Sequence, residues 1–209
     1  MGIKLVLIDN SNLINMAHFI QSIFVLLLLI SFNSNSQVKA LSLELKYPIG
    51  VGHNFLTGNY DGIIEPGLRL RFLNKEQFAL GASIIASIHK LDNTNYPSGF
   101  KGTSIFYQPN LFGELNFKKP HFLHLSINLG YTAFVFNTDS GSLGAFGIPN
   151  EHETYHGINI GSGLIFDITN QIFTHVAYGF IHLPENQGIP KSGYNQNISI
   201  LSFGLGMRL

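Results

Sequence analysis

The chain ends with the twelve residues Ile198–Leu209, ISILSFGLGMRL. Apolar residues alternate there with small or polar ones at a period of two, which predicts a β-strand with one apolar face. Chain ends are usually frayed and polar unless something holds them in place. A strand that continues to Leu209 therefore needs a partner strand for the terminus. The apolar face consists of Leu201, Phe203, Leu205, Met207 and Leu209.

The composition narrows the class of protein. Only 11% of the residues are charged and the formal net charge is zero, whereas soluble domains carry about 25% charged residues. A basic stripe is missing, which argues against a nucleic-acid partner. The sequence contains no cysteine, so disulfides, thiolate metal sites, a catalytic cysteine and a lipidated N-terminal cysteine are excluded.

An apolar run near the N-terminus predicts export. His18–Phe32 reads HFIQSIFVLLLLISF, and the small residues of Ser34–Ser36 follow it. This pattern is typical of a secretory signal peptide, so residues 1–36 are the predicted signal, cleaved before Gln37. Met16 is an alternative start, although no Lys or Arg would then precede the apolar run. An uncleaved anchor helix is the other interpretation, and in both the mature chain leaves the cytoplasm.

The rest of the chain alternates in eight segments, which predict eight strands. Many have ten residues or more, and strands that cross a membrane need about 9–11. Their connections alternate between short and long, as in transmembrane β-barrels. The predicted fold of residues 38–209 is thus all-β, an eight-stranded antiparallel up-and-down transmembrane β-barrel with both termini on the short-turn side. The short connections lie around 74–76, 118–120 and 169–170, and the long ones at 48–61, 90–103, 137–155 and 183–196.

The face opposite the apolar one is rich in Gly and Ser and poor in charge, which suits a narrow lumen better than a solvated exterior. A soluble lipid-binding barrel of the lipocalin type is the structural alternative. Buried charges must be paired, so the charged residues of this face are expected to pair inside the lumen, with Glu44 as the partner of Arg208. They are Glu44, Lys46, Arg69, Arg71, Glu114 and Arg208.

The signal peptide, the eight alternating strands and the terminal LSFGLGMRL together resemble the eight-stranded outer-membrane β-barrel proteins of Bacteroidetes-type bacteria. The resemblance implies a location in the outer membrane, contact with its lipid, and recognition of the last strand by the barrel-assembly machinery. Members of that family usually end in an aromatic residue, and Leu209 departs from this pattern. No cofactor is implied, and a monomer is expected.

The segment His152–His156, HETYH, matches the H-E-x-x-H pattern of zinc proteases. That chemistry needs a helix, so that both histidines reach one metal ion. Gly147-Ile148-Pro149 precedes the segment and Gly157 opens a strand. In extended chain the two histidine Cα atoms would lie about 13 Å apart. The segment is therefore predicted to be a polar extracellular loop, and no metal site is expected.

His182 is the one weak candidate for a catalytic residue. The stretch from Phe180, FIHLPENQGIPKSGYNQNISI, resembles the lipid A deacylase (acyloxyacyl hydrolase) barrels, in which a His-x-Ser-Asn motif ends a strand. Pro184 stands where that family has its nucleophilic serine, and Glu185 where it has asparagine. Asn195 follows where an acid is expected. Without a serine beside the histidine there is no activated nucleophile.

Glycines within the strands predict close backbone approach and bending rather than phosphate binding. They are Gly161, Gly163, Gly204 and Gly206.

The sequence thus predicts an outer-membrane barrel with a structural or surface-interaction role and no evident catalytic site. A wide pore is not expected, since eight strands leave room only for packed side chains. Two alternatives stay open: a lipid A deacylase-like barrel, active or degenerate, and a membrane component of a secretion or assembly apparatus.

Overall fold

A computed structural model describes residues 40–91, 101–139, 151–185 and 192–209. The described strands form one closed antiparallel barrel in sequence order, as the alternation predicted. Two short helices lie in the connections, α1 (Phe55–Asn59) between the first two strands and α2 (Gly193–Gln196) before the last. The strands are β1 (Leu41–Val51), β2 (Tyr60–Asn74), β3 (Phe78–Leu91), β4 (Lys101–Asn116), β5 (Leu123–Asp139), β6 (Glu151–Asp167), β7 (Ile172–His182) and β8 (Asn197–Arg208).

The C-terminal strand closes the barrel against the N-terminal strand. β8 pairs with β1 from Ser42↔Arg208 to Val51↔Ser199. The backbone N–H of Leu209 donates to the carbonyl oxygen of Leu41 at 2.9 Å, so even the last residue is held. The partner strand expected for the terminus is therefore β1.

The strands are staggered. Pairs followed once around the barrel from Leu41 lead through Leu70, Ala82, Leu111, Leu129, Ile160, Phe180 and Ser199 back to Val51. The path returns to β1 ten residues from its start, and such a stagger tilts the strands relative to the barrel axis.

The three short connections occur where they were predicted and share one end of the barrel with the start of β1 and the end of β8; we call it the turn end. The other end, the loop end, carries the long connections. Three of these are shorter than expected because the strands extend into them, and β5 and β6 each have 17 residues. The fourth, residues 183–196, has the predicted bounds. Residues 48–61 are also not wholly a polar loop: α1 lies there, and its Leu56 is fully buried.

No helix among the described residues is long and apolar enough to cross a membrane.

Candidate functional site at the loop end

The outer surface of the barrel is apolar. Every strand directs alternate large apolar or aromatic side chains outward, and these are exposed although they are hydrophobic. An exposed apolar band around a closed barrel is the surface that contacts lipid. Its members include Leu43, Leu45, Tyr47, Leu68, Phe78, Ile84, Tyr107, Leu111, Leu129, Tyr131, Ile158, Ile160, Val176, Tyr178, Phe203, Leu205 and Met207.

The lumen contains a buried network of charged side chains centred on two carboxylates. Glu114 accepts hydrogen bonds from Arg69 Nη2 at 2.6 Å and from Arg71 Nε at 2.8 Å. Glu44 lies 3.1 Å from His175 Nδ1 and 3.5 Å from both Arg69 Nε and Lys46 Nζ. The predicted pairing of charges inside the lumen is therefore confirmed for these residues.

The sequence prediction missed two members of this network, His175 and Glu65. Lys46 Nζ lies 2.9 Å from Glu65 Oε1, and both side chains are buried. Glu65 lies on the polar face of β2, next to Pro66. It is the register partner of Lys46 on β1, and the alternation within one strand does not predict its register with the next.

Arg208 does not pair with Glu44, so this prediction was wrong. Its Nη2 donates to Asp167 Oδ1 at 2.6 Å, and Asp167 Oδ2 lies 2.9 Å from His124 Nε2. Asp167 is the last residue of β6, at the turn end, where Arg208 also lies. The register partner of Arg208 on β1 is Ser42. Glu44 is the next inward-facing residue of β1, and Lys46, Arg69 and His175 already surround it.

Two arginines at this end of the lumen stack on phenylalanine rings. Arg69 lies 4.0 Å from the centroid of Phe112, and Arg208 lies 4.8 Å from that of Phe173. The Phe173 ring occupies the space beside Gly206, where a Cβ atom would lie 2.1 Å from it. The close neighbour at Gly206 is thus a side chain, whereas the predicted close backbone approach is found at Gly204, where a Cβ atom would lie 2.1 Å from the carbonyl oxygen of Leu45.

A cavity of about 40 Å³ remains between the network and the opposite wall, lined by polar groups that include Lys46, Glu65 and His175. One water molecule needs at least about 10–15 Å³ of such space. The cavity therefore holds a few waters at most, which is far from an aqueous channel.

The loop end of the lumen is filled by apolar and aromatic side chains instead. The rings of Phe106 and Phe134 are stacked with centroids 4.5 Å apart and an interplanar angle of 10°. Leu56 of α1 is fully buried against them. We call this set the aromatic plug. Its buried members are Leu56, Tyr60, Leu91, Phe106, Phe134, Ile181, Leu183, Ile198 and Ile200.

The helix that completes the plug is fixed at both ends. Asn54 caps its N-terminus by accepting hydrogen bonds from the N–H groups of Leu56 and Thr57 at 3.1 Å. Asn59 donates to the hydroxyl oxygen of Tyr194 in α2 at 3.2 Å. Asparagine is a preferred N-cap residue, so Asn54 followed by Phe55 and Leu56 was the sequence signal that could have revealed α1.

His182 lies at the loop end of β7, exposed on the outer face of the barrel. Its Nδ1 is 2.8 Å from Oδ1 of Asn197, its register partner on β8. Two hydroxyl groups on the same face, those of Tyr178 and Ser199, are hydrogen-bonded to each other at 2.9 Å. Among the described residues, the hydrogen-bond partner of His182 is therefore an amide rather than a nucleophilic hydroxyl, and its catalytic role stays a prediction.

The His152–His156 segment is part of β6, not a loop, because its residues continue the ladder with β5. Each histidine has a different partner: His156 stacks on and hydrogen-bonds Tyr131, and His152 hydrogen-bonds Asn137. Among the described residues, no group of three or more His, Cys, Asp or Glu side chains is placed to hold a metal ion.

Comparisons with known proteins concern the fold. No family model and no curated protein matches the sequence. The structure is similar to that of Ail, the attachment invasion locus protein of Yersinia pestis, in complex with the heparin analogue sucrose octasulfate, with a TM-score of 0.53 and 14% identity over 81% of this chain and 97% of that chain. A second Ail structure matches with a TM-score of 0.52 and 12% identity over 81% and 97%. Neisserial surface protein A matches with a TM-score of 0.49 and 12% identity over 81% and 96%.

Outer-membrane barrels place their short turns in the periplasm and their longer loops outside the cell, so the loop end is the extracellular end. This chain combines a closed eight-stranded barrel, an apolar outer surface and a lumen in which charged side chains form ion pairs. The chain therefore has the fold of an outer-membrane β-barrel.

Proposed function

We propose that this protein acts at the cell surface, through the extracellular end of its barrel, in a structural or surface-interaction role and not as a pore or an enzyme. The observation that carries the proposal is the filled lumen. The ion network occupies its periplasmic part and the aromatic plug its extracellular part. A barrel filled in this way leaves its outer surface and loops as the parts that can meet a partner.

Export and assembly are part of the proposal. Residues 1–36 act as the signal peptide, and residues 38–209 are the domain that the barrel-assembly machinery inserts, reading the strand that ends at Leu209. The protein is a monomer of the Bacteroidetes-type family that its terminal strand resembles. The pairing of this strand with β1 supports the proposed assembly step, because the terminal strand is the one that closes the barrel.

A lipid A deacylase activity has less support. His182 faces the outer leaflet, where such an enzyme meets its substrate, but its hydrogen-bond partner is the amide of Asn197. The mass spectrum of lipid A from expressing cells is expected to be unchanged. Loss of an acyl chain that depends on His182 would favour the enzyme instead.

A conductance measurement tests whether the filled lumen prevents the barrel from acting as a pore. The purified barrel in a planar bilayer is expected to give no stepwise current, whereas a porin in the same bilayer conducts. Sustained open-channel currents would contradict the proposal.

Cysteine labelling tests which end is outside. Because the chain contains no cysteine, Thr154→Cys and Lys118→Cys each create a single reactive site, one at each end. A membrane-impermeant maleimide is expected to label Thr154→Cys on intact cells and Lys118→Cys only after lysis. The reverse pattern would contradict the orientation and, with it, a role for the loop end at the surface.

A further inference from the structure

The three turns at the turn end differ in charge. The β2–β3 turn contains Lys75 and Glu76, the β4–β5 turn contains Lys118 and Lys119, and all four side chains are exposed. The β6–β7 turn, residues 168–171, has no charged residue. Among the three turns, the excess of positive charge is therefore confined to the two that lie next to each other. We call Lys75, Lys118 and Lys119 the lysine patch.

Hydrogen bonds hold these two turns side by side. Asn116, the last residue of β4, donates its N–H to the carbonyl oxygen of Gln77 at 2.8 Å. The side-chain Nδ2 of Asn116 lies 3.4 Å from the carbonyl oxygens of Lys75 and Glu76. Lys118 follows Asn116 by two residues, so the lysines of both turns lie in one region of the surface.

Exposed phenylalanine side chains flank the lysine patch on the outer surface of the barrel. Phe78 pairs with Leu115, so Phe117 is its diagonal neighbour on the same face. The β6–β7 turn is flanked by Ile168 and Ile172 instead. The four phenylalanines beside the patch are 40–52% exposed: Phe72, Phe78, Phe117 and Phe122.

The phenylalanines indicate the level of the lysine patch in the membrane. Aromatic girdles of such barrels lie at the two membrane interfaces, so the patch lies where the lipid headgroups are. A lysine side chain can cover apolar surface with its methylene groups while its ammonium group stays in the polar layer. Ammonium groups at a lipid surface attract anionic headgroups. Because the turn end is the periplasmic end, these headgroups belong to the periplasmic leaflet.

We propose that the lysine patch binds the phosphate group of an anionic phospholipid in the periplasmic leaflet, while the neighbouring phenylalanine rings contact its acyl chains. Charge-assisted hydrogen bonds from ammonium groups to phosphate oxygens are stronger than neutral ones. The lipid is expected beside the β2–β3 and β4–β5 turns and not beside the β6–β7 turn. This inference goes beyond the proposed surface role, since it concerns the opposite end of the barrel.

Tryptophan fluorescence can measure lipid selectivity at one point on the barrel, because the sequence contains no tryptophan. Phe122→Trp places a single reporter beside the lysine patch. Ile172→Trp places one beside the β6–β7 turn, where the native side chain is 43% exposed. The full barrel is reconstituted in phosphatidylcholine vesicles that contain phosphatidylglycerol. In one sample the phosphatidylglycerol carries brominated acyl chains, which quench tryptophan on contact, and in the other the phosphatidylcholine does.

The two quenching measurements together give the preference of each site for the anionic lipid. At Phe122→Trp we expect phosphatidylglycerol to be preferred at least about fivefold, the factor that one lysine near an anionic lipid surface supplies. At Ile172→Trp no preference is expected. Because both leaflets of the vesicle have the same composition, the result does not depend on the orientation of the barrel.

Replacement of all three lysines of the patch by glutamine is expected to abolish the preference at Phe122→Trp. These side chains are exposed in turns, so the barrel should remain folded, and heat-modifiable gel mobility checks this. Lys90→Gln is the matched control, because it removes an exposed lysine near the loop end, and it should leave the preference unchanged. Raising the salt concentration should weaken the preference, since exposed charges are screened.

Two results of the fluorescence experiment would overturn the inference: an equal preference at the two reporters, or a preference that survives replacement of the three lysines. A third result concerns a different partner. Retention of the barrel on peptidoglycan sacculi through these lysines, without any lipid preference, would assign the patch to a wall polymer and overturn the lipid site. Neither measurement uses conductance or surface labelling, so failure of this inference is distinguishable from failure of the proposed function.

Discussion

The two ends of the lumen are built on opposite principles inside the same apolar wall. Towards the periplasm, Glu114 and Glu44 are surrounded by arginine, lysine and histidine. Towards the outside, α1 and the strand ends contribute leucine, isoleucine and stacked phenylalanine rings. A charged interior depends on each partner because an unpaired buried charge is costly. The stability of an apolar interior depends instead on how completely its side chains fill the space, because truncating one leaves a cavity. The two ends should therefore respond differently to substitution.

The largest effect is expected for Glu114→Gln. The substitution removes the carboxylate that Arg69 and Arg71 share, and breaking a buried ion pair costs about 3–5 kcal/mol. The free energy of unfolding, measured by urea titration in lipid vesicles, should fall by that amount. Glu76→Gln, exposed on the β2–β3 turn, is the control and should change it by less than about 0.5 kcal/mol. Equal effects would mean that the network contributes no more than a surface charge.

Leu56→Ala tests the plug and is expected to act locally. Truncating a buried leucine costs about 2–5 kcal/mol, but Leu56 belongs to a helix in a connection and not to the barrel wall. Amide exchange at Phe55–Asn59 should therefore accelerate while the unfolding midpoint of the barrel stays nearly constant. Leu111→Ala, the same truncation on the exposed outer face of β4, is the control and should leave exchange in this helix unchanged. A matching loss of global stability would show that the plug and the wall form one cooperative unit.

The smallest of the three effects is expected for Gly206→Ala. The new Cβ atom would lie 2.1 Å from the Phe173 ring, and overpacking typically costs about 1–3 kcal/mol. The temperature at which heat-modifiable mobility is lost should decrease. Gly179→Ala is the control, since the carbonyl oxygen of Ile200 there lies 4.0 Å from the new Cβ. Equal behaviour of the two variants would show that Phe173 can move aside and that the charged end is less tightly packed than its contacts indicate.

Much of the fold was predictable because alternation is a local property. Leu201 to Leu209 indicated a strand with one apolar face, and the structure pairs that strand with β1. The inward position of Glu44, Arg69 and Glu114 followed from the same period. The helix α1 was missed because the polar residues around it predicted a loop, although Asn54 was a usable capping signal.

The candidate site was less predictable. The outward direction of His182 followed from the parity of β7, but its partner Asn197 lies 15 residues away across a connection. The H-E-x-x-H segment was expected in a loop and lies in β6, because pairing with β5 continues past the end of β7. How far two neighbouring strands overlap depends on where each one leaves the barrel.

By itself, the sequence determined that this chain forms strands, that their apolar faces point outward and that the last strand must be paired. The physical reasons are the two-residue period of a strand and the absence of water in the bilayer core, where an unpaired edge cannot be satisfied. Only the tertiary structure decided that Arg208 pairs with Asp167 and that β6 pairs farther with β5 than with β7. Both follow from the ten-residue stagger and the courses of the connections, which bring together residues that no local pattern relates.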